Sequence, residues 1–123
     1  MDNDATASQV ADEFFADYTR ALLDRDPAAI ADRYAVPVLI AFPGQLIAVS
    51  DASQTVEFFA SAIGQYDAVS SASTDIRIAA ATPVSIWADV GWTYDSHPGE
   101  RNMYQLVQTA DGWRIGVLTP LDS

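Results

Sequence analysis

Val84-Ser-Ile-Trp-Ala-Asp-Val-Gly-Trp-Thr-Tyr94 alternates along its length, with Val84, Ile86, Ala88, Val90, Trp92 and Tyr94 on one side and Ser85, Asp89, Gly91 and Thr93 on the other. A period of two over that span specifies a strand with one buried face. Turn signals follow at His97-Pro-Gly-Glu100 and Ala110-Asp-Gly112, and the runs Arg101 to Thr109 and Trp113 to Thr119 alternate in the same way. The stretch 84–119 therefore predicts a three-stranded antiparallel meander. Asp75-Ile-Arg-Ile-Ala-Ala-Ala81 adds a strand ahead of it. Ile76, Ile78, Ile115 and Val117 can all share the buried face with the even positions of 84–94.

Upstream the period changes from two to between three and four. Ser8 precedes Val10, Phe14, Tyr18, Ala21 and Leu22, with Asp12, Glu13, Asp17 and Arg20 between them, which predicts an amphipathic helix behind a tail of residues 1–7. Asp26-Pro27 pairs an N-cap with a proline at the first helical position, and opens a second helix with Ala29, Ile30 and Tyr34 inward and Pro37 closing it. Asp24-Arg25-Asp26 reads as the turn between the two helices. Val36 to Phe42 and Leu46 to Val49 form a small hairpin about Pro43-Gly44. Asp51 with Gln54 starts a third helix, which presents Val56, Phe59, Ala60 and Ile63 and runs to about Gln65. Helices first and strands last predict one α+β domain over 1–123, with three N-terminal helices on one face of an antiparallel sheet.

Charge and composition exclude several functions. Seventeen acids stand against six arginines and no lysine, a net charge of −11 that repels phosphate backbones and anionic lipid. Neither nucleic acid nor membrane is an expected partner. Without cysteine there are no disulfides, thiolate metal sites or thiol nucleophiles. The opening residues lack a signal-like segment and no apolar run reaches bilayer length, so a cytoplasmic location is expected. One histidine, His97, sits in a turn signal, and neither a metal nor a cofactor is expected. Asp89 and Asp95 have outward parity and read as solvated.

Phe15-x-x-Tyr18-x-x-Ala21-Leu22, Asp26-x-x-Ala29-Ile30-x-x-x-Tyr34-Ala35, Pro43-Gly44, Phe58-Phe59, Ala88-x-Val90-x-Trp92 and Gly112-Trp113-Arg114-Ile115 follow one another in an order that resembles the NTF2-like superfamily. Ketosteroid isomerases, scytalone dehydratase and SnoaL-type polyketide cyclases share that fold. The resemblance implies a curved sheet forming a cone capped by the helices, commonly in a dimer through the open sheet face. Trp87, Met103, Val107 and Leu118 would form that outer face.

Tyr18 matches the tyrosine that ketosteroid isomerases aim into the cone as an oxyanion donor. The isomerase base precedes a proline, where this chain has Phe42-Pro43, and phenylalanine takes no proton. The third isomerase group falls at Asn102 or Tyr104. Inside the cone the resemblance gathers Phe14, Tyr18, Tyr34, Phe42, Phe59, Val90, Trp92, Tyr104 and Val117, with Asn102 as a polar tip. These side chains either pack on one another or wall a pocket for a small apolar ligand. Three functions follow: a non-catalytic or weakly catalytic binder, an isomerase- or cyclase-like enzyme using Tyr18 with a further acid or base, or an association module acting through the outer sheet.

Overall fold

The computed structural model describes residues 3–42, 44–62, 64 and 68–121. Helix α1, Asn3–Leu23, starts ahead of Ser8, and Ala7, expected in the tail, is buried in the core. Ala7 and Ala11 extend the inner stripe of Phe14, Phe15 and Tyr18 by two turns; alanine favours helix strongly but is too small to mark an apolar stripe in sequence. The helix ends with Arg25 N–H on Leu22 O at 3.1 Å and Asp26 N–H on Ala21 O at 3.3 Å. That arrangement places Arg25 at φ 53°, where glycine is usual. Its guanidinium donates to Leu23 O at 2.9 Å and Val69 O at 2.6 Å, tying the turn to the chain entering the sheet. Asp26 accepts from the N–H groups of Ala28 and Ala29 and caps α2, Pro27–Ala31.

Tyr34, expected on that short helix, is instead the first residue of β1, Tyr34–Phe42, and is buried there. The run Val36-Pro-Val-Leu-Ile40 suits extended backbone, and the residue before a proline avoids helix. β1 pairs antiparallel with β2, Gln45–Val49, and parallel with β6, Gly112–Leu121. The hairpin therefore joins the main sheet, which is mixed and not wholly antiparallel. Without β1 the last meander strand would present an open edge. With β3, Ala72–Thr82, β4, Ser85–Tyr94, and β5, His97–Thr109, the strand order is β2-β1-β6-β5-β4-β3.

Asp51 opens α3, Ala52–Ala62, by accepting from Ser53 N–H at 2.8 Å, while the Gln54 side chain reaches back to Ser50 N–H at 3.0 Å. The helix packs on α2 and β2. Its inner face carries Thr55, Val56, Phe58 and Phe59, whereas Ala60 is exposed. Ile63, Gln65 and the Pro43 half of the Pro43-Gly44 turn lie outside the described residues.

Besides a register shift in the parallel β1–β6 pair, three shifts in the antiparallel pairs curl the sheet. Ala79 is an extra residue of β3 between the pairs Ile78↔Ala88 and Ala80↔Trp87. Gly99 and Glu100 together face Trp92, between Gly91↔Arg101 and Thr93↔Pro98. Gly116 is extra on β6 between Leu106↔Ile115 and Gln105↔Val117. Each bulge bends its strand and raises the local twist, which turns a flat meander into a half-cone. α1 lies against β3 and β4 on the concave side, and Ile86, Ala88, Val90 and Trp92 point up into it.

The bulges also move two expected features. The β4–β5 turn is Asp95-Ser96, both at positive φ, and His97 to Glu100 belong to β5. Neither turn residue is glycine; Asp95 offsets the strain by accepting from Ser70 and Ser71 N–H and hydroxyl groups at 2.9–3.2 Å. Those bonds hold its carboxyl below the usual range, so the expectation of a solvated Asp95 is corrected. Asp89 is likewise not simply solvated: Arg101 grips it through two bonds of 2.9 and 2.5 Å, which lower its pKa.

Candidate functional site

The deep part of the cone is filled. Phe15 stands edge-on to Phe14 at 5.2 Å and 4.9 Å from Tyr104, and Val90 and Trp92 are buried beneath them. Above this floor the cone remains open as a cavity of about 270 Å³. α1 contributes Tyr18; β1 contributes Tyr34, Ile40 and Phe42; α3 contributes Phe58 and Phe59. The opposite wall is Glu100, Asn102 and Tyr104 of β5 with Leu118 and Pro120 of β6.

Six residues expected at this site therefore line it: Tyr18, Tyr34, Phe42, Phe59, Asn102 and Tyr104. Phe14, Val90 and Trp92 lie in the packed floor and are not part of the wall. Val117 is a correction. The Gly116 bulge pairs it with the outward Gln105, and brings Leu118 opposite the inward Tyr104. Leu118, expected on the outer face, is thus buried and lines the cavity. Ile40 and Phe58 were legible from their neighbours Val38 and Phe59, but Leu118 and Pro120 required the bulge to be known.

The polar groups are arranged in a definite order. Tyr104 Oη accepts from Trp92 Nε1–H at 3.1 Å and from Asn102 Nδ2 at 3.1 Å. A hydroxyl has two acceptor lone pairs and one hydrogen, so Tyr104 is left with only a donor to offer. Burial pushes its pKa up to about 12, against the two hydrogen bonds that lower it, and the nearby Glu100 charge adds to the rise. It stays a neutral phenol that donates without giving up its proton. Across the cavity Tyr18 Oη and Tyr34 Oη share a 2.8 Å hydrogen bond.

Glu100 is the feature that sequence reasoning missed. Its side chain is exposed at the cavity wall, where its carboxylate accepts from Tyr94 Oη at 2.7 Å. The signal was its parity with Asn102 and Tyr104, hidden by reading His97 to Glu100 as a turn. Among the described residues no arginine or histidine lines the cavity, and the one charged residue that does is an acid. Among the described residues no group of three His, Cys, Asp or Glu could hold a metal ion. No helix among them is long and apolar enough to cross a membrane.

Residues 4–123 match the family described as NTF2-like protein (DUF6841). The chain belongs to this NTF2-like family. No curated protein sequence matches it. Among solved structures it is similar to an NTF2-like family protein from Streptomyces avermitilis, at 11% identity and TM-score 0.70, covering 98% of this chain and 99% of that one. It is also similar to Kfla4162 from Kribbella flavida (19% identity, TM-score 0.68, 97% and 92% covered). A ketosteroid isomerase-like protein from Erwinia carotovora atroseptica superposes at TM-score 0.63 with 13% identity, covering 94% and 96%. At these identities the likeness is one of fold, and the NTF2-like cone is what the proteins share.

Proposed function

We propose that this NTF2-like protein binds a small, largely apolar molecule carrying one hydrogen-bond acceptor, without strong catalysis. The Tyr104 hydroxyl carries the reading: with both lone pairs engaged, its hydrogen is left for the occupant of an aromatic cavity. Burying about 200 Å² of ligand contributes on the order of 5 kcal/mol before ordering costs, so affinity is modest. Calorimetric titration with 1-indanone and with indane tests this, because the two differ by one carbonyl. We expect the ketone to bind about fivefold to tenfold more tightly, as one net hydrogen bond allows, and Tyr104→Phe to remove the preference. Equal binding of the two, or binding of neither, would contradict the proposal.

Glu100 favours a second reading, in which the protein moves a proton on a carbonyl compound as an isomerase- or cyclase-like enzyme. A carboxylate on one wall and the Tyr18 hydroxyl on the other supply a base and a donor. Deuterium uptake at the α-carbon of 1-indanone in heavy water, followed by NMR, tests it. Uptake no faster than in buffer, or unchanged in Glu100→Gln, removes it.

Trp87, Met103 and Val107 on the outer sheet face support a homodimer, from which the inward Leu118 drops out. Lack of cysteine supports a reducing, cytoplasmic setting.

A further inference from the structure

We infer that the natural occupant of the cavity is an organic cation, an apolar body seated among the aromatic rings with a protonated or quaternary amine beside Glu100. The inference rests on the binding reading above and adds the charge of the ligand. Along the wall Tyr18, Tyr34, Phe42, Phe58 and Phe59 supply aromatic rings, and among the described residues Glu100 is the single charged side chain there. Ring faces carry negative electrostatic potential and attract ammonium groups. A carboxylate at the same wall adds to that attraction and opposes any anion.

The carboxylate is also held in place. The bulge at Gly99-Glu100 sets its backbone opposite Trp92, and the Tyr94 hydroxyl donates to it at 2.7 Å. Tyr94 is fixed in turn, because its ring stacks on Trp92 at 6.0 Å and 16°. Preorganised in this way, the charge needs little reordering when a cation arrives. The Glu100 charge also adds, as the smallest cause, to the raised pKa of the buried Tyr104. A net charge of −11 acts in the same direction at longer range, by raising the concentration of cations near the surface.

The test compares benzyltrimethylammonium with neopentylbenzene, its carbon isostere, and with phenylacetate, using 1-indanone as a neutral reference. Calorimetry on the full chain should give about tenfold tighter binding of the cation than of the isostere, the size expected for ring and carboxylate attraction together. Phenylacetate should not bind. Glu100→Gln, an exposed and conservative change, should reduce the cation's advantage over neopentylbenzene. If 1-indanone binds but the cation binds no better than neopentylbenzene, or keeps its full advantage in Glu100→Gln, the inference is overturned and the binding reading stands. If none of the four binds, both fall.

Discussion

Tyr104 is where burial, hydrogen bonding and charge meet, and its ionisation gives a pH dependence with a definite sign. An unfolded tyrosine loses its proton near its ordinary value of 10, whereas in the fold it holds the proton to about 12. Stability from this group is therefore complete below pH 10 and lost as pH rises from 10 to 12, by roughly 2 to 3 kcal/mol. Urea denaturation at pH 9 to 12 should show that decline, and Tyr104→Phe should flatten it. At neutral pH the same variant leaves Trp92 Nε1 and Asn102 Nδ2 without their acceptor, at about 1–3 kcal/mol. Gly99 is a second sensitive position. A Cβ there would come within 2.5 Å of the Tyr94 ring, so Gly99→Ala should displace that ring from Glu100 and cost about 1–3 kcal/mol in thermal denaturation.

At the level of elements, β4 tests the strand parity. Trp92→Ala should cost about 3–5 kcal/mol as a buried truncation, and an unchanged melting temperature would contradict the assigned inner face. The Asp95-Ser96 turn tests the acid limb. Serine bonds depress the Asp95 pKa, so its contribution is present above the ordinary 3.8 and is lost as pH falls through the lower folded value. The deficit of Asp95→Ala against the parent should be constant at pH 5 to 7 and shrink below 3.8. These elements also mark where the sequence could be read. The alternation of 84–94 and the cap at Asp26 depend on local periods and local hydrogen bonds, and both are visible in order. The bulges at Ala79, Gly99-Glu100 and Gly116 arise from pairing between strands, which no local period encodes. One such residue exchanged Val117 for Leu118 at the cavity, and another concealed Glu100 within an apparent turn. The parallel β1–β6 pairing was hidden for the same reason, being a contact between the early hairpin and the final strand.

Over the whole molecule, the two faces of one curved sheet carry two separate proposals. The convex side carries Trp87, Met103 and Val107, and Trp87→Asp should convert a sedimenting dimer into a monomer with an unchanged far-ultraviolet spectrum. A parent protein that sediments as a monomer would remove that role. The concave side holds a packed floor, an open aromatic cavity above it, and a phenol with one hydrogen to give. Trp92 Nε1–H and the Asn102 amide both bond the Tyr104 oxygen, so each reports on what that hydroxyl does. The most direct measurement is therefore a ¹H–¹⁵N NMR titration with 1-indanone. Saturable shifts led by the Trp92 indole and Asn102 side-chain signals are expected. Shifts confined to other residues, or none at millimolar ketone, would contradict the proposed binding.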